Sequence, residues 1–203
     1  LADVSNSRIA QFGLTNHEGT FGLDGRLALS TITHGKVQRL TGPVLRVRGD
    51  AKLENRRLDA ALKLNSAAIA ANLAGTIDLA SNRFAPLNIQ ARLLEPKAMF
   101  PNMGGRNIEL KARLEGAFAT ASFDYLLTSP FVSFDKTGLE NVRASGQGRL
   151  SKQPIVVPLK FTAKRITGVG DVAGGILANI SVNGPLSVTS KSLIGDGLVL
   201  KSD

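Results

Sequence analysis

The side chains of this sequence that could support catalysis are few and far apart. Its 203 residues include two histidines, His17 and His34, and no cysteine. A nucleophilic triad needs a Ser or Cys beside a base, and a zinc site needs several His, Cys or carboxylate ligands together. Neither histidine has neighbours at such a spacing. Both lie beside Gly-containing breaks in the sequence. We interpret both as solvated loop residues and predict no metal site.

One short motif resembles a cofactor loop. Gly168, Gly170 and Ala173 follow an apolar strand with the G-x-G-x-x-A spacing of dinucleotide-binding proteins. The following pair Gly174-Gly175 disfavours the helix that this motif requires, and no acidic residue lies about 20 positions on, at a second strand end. Four carboxylates within the alternating stretches lie mostly on outer strand faces or beside turns, where solvation explains them: Asp24, Asp50, Asp59 and Asp78. We therefore predict no cofactor and no enzymatic activity.

Composition favours an aliphatic interior and an anionic partner. Hydrophobic residues make up 43% of the chain, yet there is no Trp, one Tyr and nine Phe. Twenty-five basic against 16 acidic residues give a net charge of +9. This balance favours lipid headgroups or nucleic acid as partners. Much of the excess lies on a single stretch: Arg26, Lys36, Arg39, Arg46, Arg48, Lys52, Arg56, Arg57 and Lys63. Aromatic residues are not interleaved with these charges, so we predict no nucleic-acid binding.

The elements that position these residues are predicted to be β-strands. Between Ile69 and Leu93 apolar residues take every second position, which is the period of a half-buried strand. A polar break at residues 80–83 divides the stretch into an antiparallel hairpin. The same alternation recurs at residues 21–29, 45–53, 58–64, 108–118, 123–127, 132–134, 142–150, 155–163 and 180–188. Short helical turns are predicted near residues 96–103 and 167–178, where the period is lost.

Glycine repeats inside these strands at positions that keep the apolar parity. Examples are Gly25, Gly75, Gly116 and Gly184, each within an apolar-x-Gly-x-apolar pattern. An inward Gly weakens a strand but allows it to bend, so a long sheet can curl over on itself. The spacing between these glycines is irregular, which disfavours a solenoid. The prediction is an all-β fold: a long curled antiparallel sheet that forms an open apolar groove, with short helical turns.

Two ways of covering the apolar side of such a sheet are open on the sequence. A second sheet would give a closed β-sandwich, a structural or binding domain with no transport role. Acyl chains of lipids would give an open groove. The predicted lining of that groove shares one strand parity: Leu73, Ile77, Leu79, Ile89, Leu110, Leu114, Phe118, Val157, Leu159 and Phe161. Arg92, Lys111 and Arg113 are predicted to point away from it.

Two stretches near the end resemble a known family. Residues 166–176 (ITGVGDVAGGI) and 193–203 (LIGDGLVLKSD), together with the Gly-centred strands, resemble the translocation and assembly module TamB family, a relative of AsmA-like proteins. The resemblance implies a periplasmic protein of diderm bacteria with a long groove that carries phospholipid between the inner and outer membranes. It also implies support of outer-membrane protein assembly through a barrel partner of the TamA type.

The chain itself is predicted to be one β-groove segment, residues 1–203, of a longer protein. It has no run long enough for a transmembrane helix and no signal pattern at its start. The resemblance implies an inner-membrane anchor in a segment that this chain does not contain. The absence of Cys fits an oxidising compartment.

Overall fold

The chain forms one open antiparallel sheet in a computed structural model. The structure describes residues 10–17, 19–28, 35–151, 155–168, 176–189 and 193–202. The strands are β1 (Ala10–His17), β2 (Thr20–Leu27), β3 (Leu45–Glu54), β4 (Arg57–Asn65), β5 (Ile69–Asp78), β6 (Arg83–Leu93), β7 (Met103–Arg106), β8 (Ile108–Ala117), β9 (Ser122–Phe134), β10 (Thr137–Arg149), β11 (Ile155–Thr167), β12 (Ile176–Val188), β13 (Leu193–Gly195) and β14 (Val199–Lys201). Helix α1 spans Gly35–Thr41, and a 3-10 helix spans Pro96–Ala98.

The strands follow one another as a meander. Each strand from β1 to β5 pairs with the next, β6 pairs with β8, and the order continues to β13, with β7 beside β9 and β14 beside β12. The predicted all-β fold is confirmed, because the sheet has 14 strands, is antiparallel and does not close. The closed sandwich is therefore not the arrangement of the described residues.

The predicted hairpin between Ile69 and Leu93 is present, with one irregularity. Its turn contains Asn82 in the left-handed region at φ 51°. The β5–β6 register shifts between Gly75 and Ile77, opposite Pro86, which has no N–H to donate to the ladder. Leu79 lies beyond the end of β5, in the turn, and is 38% exposed. The strand thus ends one residue before its alternating pattern does.

Gly75 explains how two strands approach closely at this irregularity. Its φ is +153°, and a Cβ built on it would collide with the Pro86 carbonyl oxygen. A residue with a side chain is excluded on both grounds. The inward glycine predicted from the sequence therefore does have a geometric role at this position.

The helices differ in part from the prediction. The 3-10 helix lies in the predicted loop, but α1 was not predicted from the strand pattern. The helical turn predicted for residues 167–178 is wrong at both ends, since Thr167 belongs to β11 and Ile176–Ala178 to β12; residues 169–175 lie outside the described residues. Tertiary contacts fix α1: Arg39 Nε donates to the Ala98 carbonyl oxygen at 2.9 Å, and Ser66 Oγ donates to that of Leu40.

A crease crosses the sheet where strands β7 to β12 run side by side. Three asparagines there adopt left-handed backbone conformations: Asn107 (φ 48°), Asn141 (φ 51°) and Asn179 (φ 47°). The register places Asn141 between Pro130 on β9 and Lys164 on β11, and Asn179 opposite Lys164. Asn is the residue after Gly that tolerates this conformation best. We call this row of residues the crease.

The crease changes which residues face the apolar side. Apolar residues of one strand lie two apart on the main part of the sheet but three apart across the crease, as in Leu139 and Val142 or Leu177 and Ile180. The sheet beyond the crease, which we call the flap, consists of β7 and the adjoining parts of β9 to β12. Its apolar residues continue the apolar side after the bend.

The flap packs against the main sheet and buries a small core. Met103, Ile108, Val132 and Val142 are each at most 9% exposed and form one cluster. Partly buried neighbours from both sides of the crease complete it: Leu93, Met99, Leu127, Leu139 and Phe161. The sheet therefore covers its own apolar side at this corner.

Candidate functional site

The apolar side of the main sheet is the candidate site. Residues directly opposite each other on antiparallel strands lie on the same face, so the register shows which apolar residues align across strands. One row contains Leu62, Leu73, Ile89, Ala112 and Tyr125. The next contains Val47, Leu64, Ala71, Ala91, Leu110, Leu127, Ala144, Phe161 and Val182. We call this surface the apolar face.

The apolar face is long compared with any one strand. Neighbouring strands lie about 4.8 Å apart, so the row from Val47 to Val182 extends for roughly 40 Å. Its direction is across the strands, from the β3 side of the sheet to β12. A linear apolar ligand would therefore lie perpendicular to the strands.

The residues predicted to line the groove lie on this face. Leu73 and Ile89 are direct neighbours, and so are Leu114 and Phe123. Nine of the ten predicted residues are half-buried: Leu73, Ile77, Ile89, Leu110, Leu114, Phe118, Val157, Leu159 and Phe161. Leu79 is the exception, in its exposed turn. The three side chains predicted to point away, Arg92, Lys111 and Arg113, are exposed.

The two parts of the predicted lining do not touch in one cluster. Leu73, Ile77, Ile89, Leu110 and Leu114 lie on β5, β6 and β8, whereas Val157, Leu159 and Phe161 lie on β11 beyond two intervening strands. Phe118 follows the end of β8, and its ring centroid lies 4.7 Å from that of Phe84. The rows above connect the two parts through residues of β9 and β10.

Several residues of the apolar face were missing from the predicted lining. They are Leu62, Leu64, Leu87, Phe123, Tyr125 and Leu127. Their parity was visible in the sequence, but strand order was needed to place Phe123, Tyr125 and Leu127 of β9 between the two predicted parts. Tyr125 donates from its hydroxyl to the Pro158 carbonyl oxygen at 3.2 Å. Burial raises the pKa of this tyrosine, so it is a neutral hydrogen-bond donor on an otherwise apolar surface.

The opposite face of the sheet is polar and carries a band of positive charge. Two neighbouring cross-strand rows run from β2 to β11, and we call them the basic band. Its cations are Arg26, Arg46, Arg48, Lys63, Arg92, Lys111, Arg143 and Lys160. Its acids are Asp24 and Glu109, and each is paired: Asp24 with Arg48 at 3.2 Å, Glu109 with Arg92 at 2.6 Å.

Other kinds of site have little support in the described part of the chain. It contains no group of three or more His, Cys, Asp or Glu side chains that could hold a metal. His17 lies at the end of β1 and is exposed, and His34 lies outside the described residues. Across the described ranges, no helix has the length and apolar character to span a membrane.

Comparisons with known proteins were made on both sequence and structure. No protein-family profile, curated protein or solved structure matches the chain. The function is therefore inferred from the geometry of the apolar face.

Proposed function

We propose that this chain is a segment of a lipid-transfer protein and that its apolar face holds phospholipid acyl chains. The observation that carries the proposal is the continuous row of apolar residues from Val47 to Val182 on a sheet that does not close. On strands β4 to β6, which the flap does not reach, the large side chains of this face stay half-buried, as at Leu73 and Ile89, whereas Val47 on β3 is buried.

The free energy of hydration supports an apolar occupant. Apolar surface left in water costs roughly 25 cal/mol per Å², so a few hundred Å² costs several kcal/mol. Aliphatic side chains match acyl chains in polarity, and the rows give such chains a straight path. The face needs no specific polar contacts to bind them, so it would accept phospholipids with different headgroups.

The resemblance to the TamB family supports a cellular setting for this activity. In that setting the chain lies in the periplasm of a diderm bacterium and belongs to a longer protein anchored in the inner membrane. The groove carries phospholipid between the two membranes and supports outer-membrane protein assembly with a barrel partner of the TamA type.

Site-specific photo-crosslinking in cells tests whether lipid occupies the apolar face. Leu114 and Arg113 are adjacent on β8 but point to opposite faces. A crosslinking residue at Leu114 or Ile77 is expected to capture phospholipid, and one at Arg113 is not. Equal capture at Leu114 and Arg113 would remove the basis of the proposal.

A charge on the apolar face tests whether lipid moves along it. Leu114→Arg places an unpaired cation in the path, where its desolvation is costly. In the full-length protein this change is expected to cause sensitivity to detergent and vancomycin at normal protein abundance. Gln147→Arg is the matched control, because it adds the same charge to the outer face opposite Asp124.

The abundance of the Leu114→Arg protein separates transport from a structural role. A structural domain without transport predicts that the variant acts by unfolding and disappears from the cell. Full outer-membrane integrity at normal abundance, with Arg at both Leu114 and Ile77, would overturn lipid transport along this face.

A further inference from the structure

A shallow trough lies in the basic band, on the face opposite the apolar one. It has a volume of about 400 Å³ and spans strands β4, β5, β6 and β8. Lys63, Asn72, Gln90 and Lys111 occupy consecutive positions of one cross-strand row across it. The volume falls in the range of small-molecule sites, roughly 300–1,000 Å³.

The trough holds two ammonium groups with amide donors between them. Lys63 and Lys111 stand three strand spacings apart, which is roughly 14 Å between their Cα atoms. Their flexible stems let both ammonium groups lean over the shorter Asn72 and Gln90 side chains. Each of those amides supplies an NH₂ group with two donors. The floor thus presents hydrogen-bond donors between two positive charges.

The neighbouring row leaves these charges uncompensated. Ala70 beside Asn72 has a short side chain, which leaves room above the sheet. Glu109 is the carboxylate that lines the trough, and Arg92 binds it through both Nε (3.1 Å) and Nη2 (2.6 Å). Among the described residues, no carboxylate lies within ion-pair distance of Lys63 or Lys111.

The placement of Lys63 is unfavourable for the sheet alone. It lies directly opposite Arg48, and like charges opposite each other destabilise an antiparallel pair. Arg48 has Asp24 as its partner, whereas Lys63 has none in the described chain. A bound anion would relieve this repulsion and would accept hydrogen bonds from the amides.

We propose that this trough binds a phosphate group, as a phosphate monoester or diester. A phosphate offers several oxygen acceptors around one centre, which matches donors that approach from Lys63, Asn72, Gln90 and Lys111. The four proposed donor residues lie on the face opposite the apolar one, so phosphate binding does not require acyl-chain binding, although Ala71, Ala91 and Leu110 of the apolar rows also line the trough. Either a lipid headgroup or a free phosphate compound carries the required group.

The test measures binding of two probes to the full chain at low ionic strength. Inorganic phosphate is titrated by calorimetry, and vesicles of phosphatidylglycerol with phosphatidylcholine are compared with vesicles of phosphatidylcholine alone, in which the choline cation offsets the charge of the phosphate diester. The variant Lys63→Gln/Lys111→Gln is expected to weaken binding roughly tenfold, because each exposed ionic contact contributes a factor of a few. Added salt is expected to weaken binding by the unchanged protein.

Two further variants show whether the trough, and not the total charge, binds the anion. Lys160→Gln is the matched control, since Lys160 lies in the same row but on β11, outside the trough. The Lys160→Gln variant is expected to bind less than twofold more weakly than the unchanged protein. Gln90→Ala keeps the charge and removes two donors, so a loss of roughly threefold is expected.

Binding of anionic vesicles but not of inorganic phosphate, lost in the double variant, supports the site and assigns a lipid headgroup. Binding of inorganic phosphate, lost in the same variant, supports the site and assigns a free phosphate group. No binding of either probe, or a loss per lysine removed that is the same for Lys160→Gln as for Lys63→Gln/Lys111→Gln, would overturn the proposed site. Lipid crosslinking from Ile77 is expected to persist in every variant, so failure here leaves the proposed function untouched.

Discussion

Strands β3 to β6 and strands β9 to β12 belong to one sheet, but their apolar sides are covered to different extents. Each strand from β9 to β12 has 13 residues and bends at the crease, so its far part forms the flap. The strands from β3 to β6 have 9 to 11 residues and end in turns before any such bend. The extra length of β9 to β12 lets that half of the sheet fold over its own apolar side. Strands β3 to β6 are too short to do so.

The burial of side chains follows this difference. Val132, Val142 and Ile180 are at most 6% exposed, while Leu73 and Ile89 on β5 and β6 stay half-buried; on β3, Leu45 and Val47 are buried as well. Both halves have the same alternating sequence pattern, so alternation alone does not decide burial. On β9 to β12 the crease decides burial, because it turns the flap towards the apolar face. A ligand site is therefore expected on β4 to β6 and a folding core on β8 to β12.

The largest expected effect is on the free energy of unfolding when the core of the flap is truncated. Ile108→Ala removes buried methylenes that pack with Met103 and Val132, so a loss of about 2–4 kcal/mol is expected. Ile89→Ala, on the adjacent β6, is expected to lose about 1 kcal/mol, because its side chain is already half in water. Urea unfolding of both variants measures the difference. Equal losses would show that the two halves are not distinct.

The next effect concerns how β5 and β6 approach each other in the open half. Gly75→Ala would place a methyl group against the Pro86 carbonyl oxygen at a φ that disfavours any side chain, so a loss of about 1–3 kcal/mol is expected. Gly13→Ala is the control, since a Cβ there would lie 3.7 Å from its nearest neighbour, the Asp24 carbonyl oxygen. It is expected to be neutral or slightly stabilising. If Gly75→Ala is also neutral, close strand approach has no part in shaping the open half.

Alternation was enough to predict most of the strands, because each inward residue of a long antiparallel sheet repeats the same environment; β1, β7 and β13 were not predicted from it. The hairpin of β5 and β6 and the amphipathic β8 follow directly from it. Helix α1 did not, because its contacts are tertiary: Arg39 with Ala98 and Ser66 with Leu40.

The crease was the main feature that the strand pattern concealed. Across it the spacing of apolar residues changes from two to three, as between Ala163 and Ile166, and the sequence shows this as a loss of period. The signal that could have identified it is Asn within strands, at Asn141 and Asn179, because Asn is depleted in strands but tolerates a left-handed backbone. The groove lining was predicted by parity, while its continuity depended on strand order.

A smaller effect is expected from the crease itself. Asn141 has φ 51°, which a β-branched residue adopts with strain, so Asn141→Val is expected to lose about 1–2 kcal/mol. Asn141→Gly is expected to be near neutral. Asn72→Val, on β5 of the open half, serves as the second control, where Val suits an exposed strand position. Urea unfolding measures the free energy of unfolding of all three variants. A Val at position 141 that is tolerated as well as Gly would mean that the crease does not require a left-handed residue.

The smallest effect is electrostatic and lies at the turn that ends β5 in the open half. The Ser81 hydroxyl and the backbone N–H groups of Ser81 and Ala80 hydrogen-bond the Asp78 carboxylate, and Arg57 adds a positive charge, so the pKa of Asp78 is lowered from its ordinary value. A lowered folded-state pKa means that the stabilisation is complete above the unfolded value, near 3.8, and is lost as the pH falls through the folded value. NMR titration of the Asp78 carboxyl is expected to show this lowered pKa. The Asp78→Asn protein is expected to be slightly less stable than the unchanged protein at neutral pH, with the difference shrinking under acid. A difference that stays constant from neutral pH to below the folded pKa would show that the turn depends on the shape of the side chain and not on its charge.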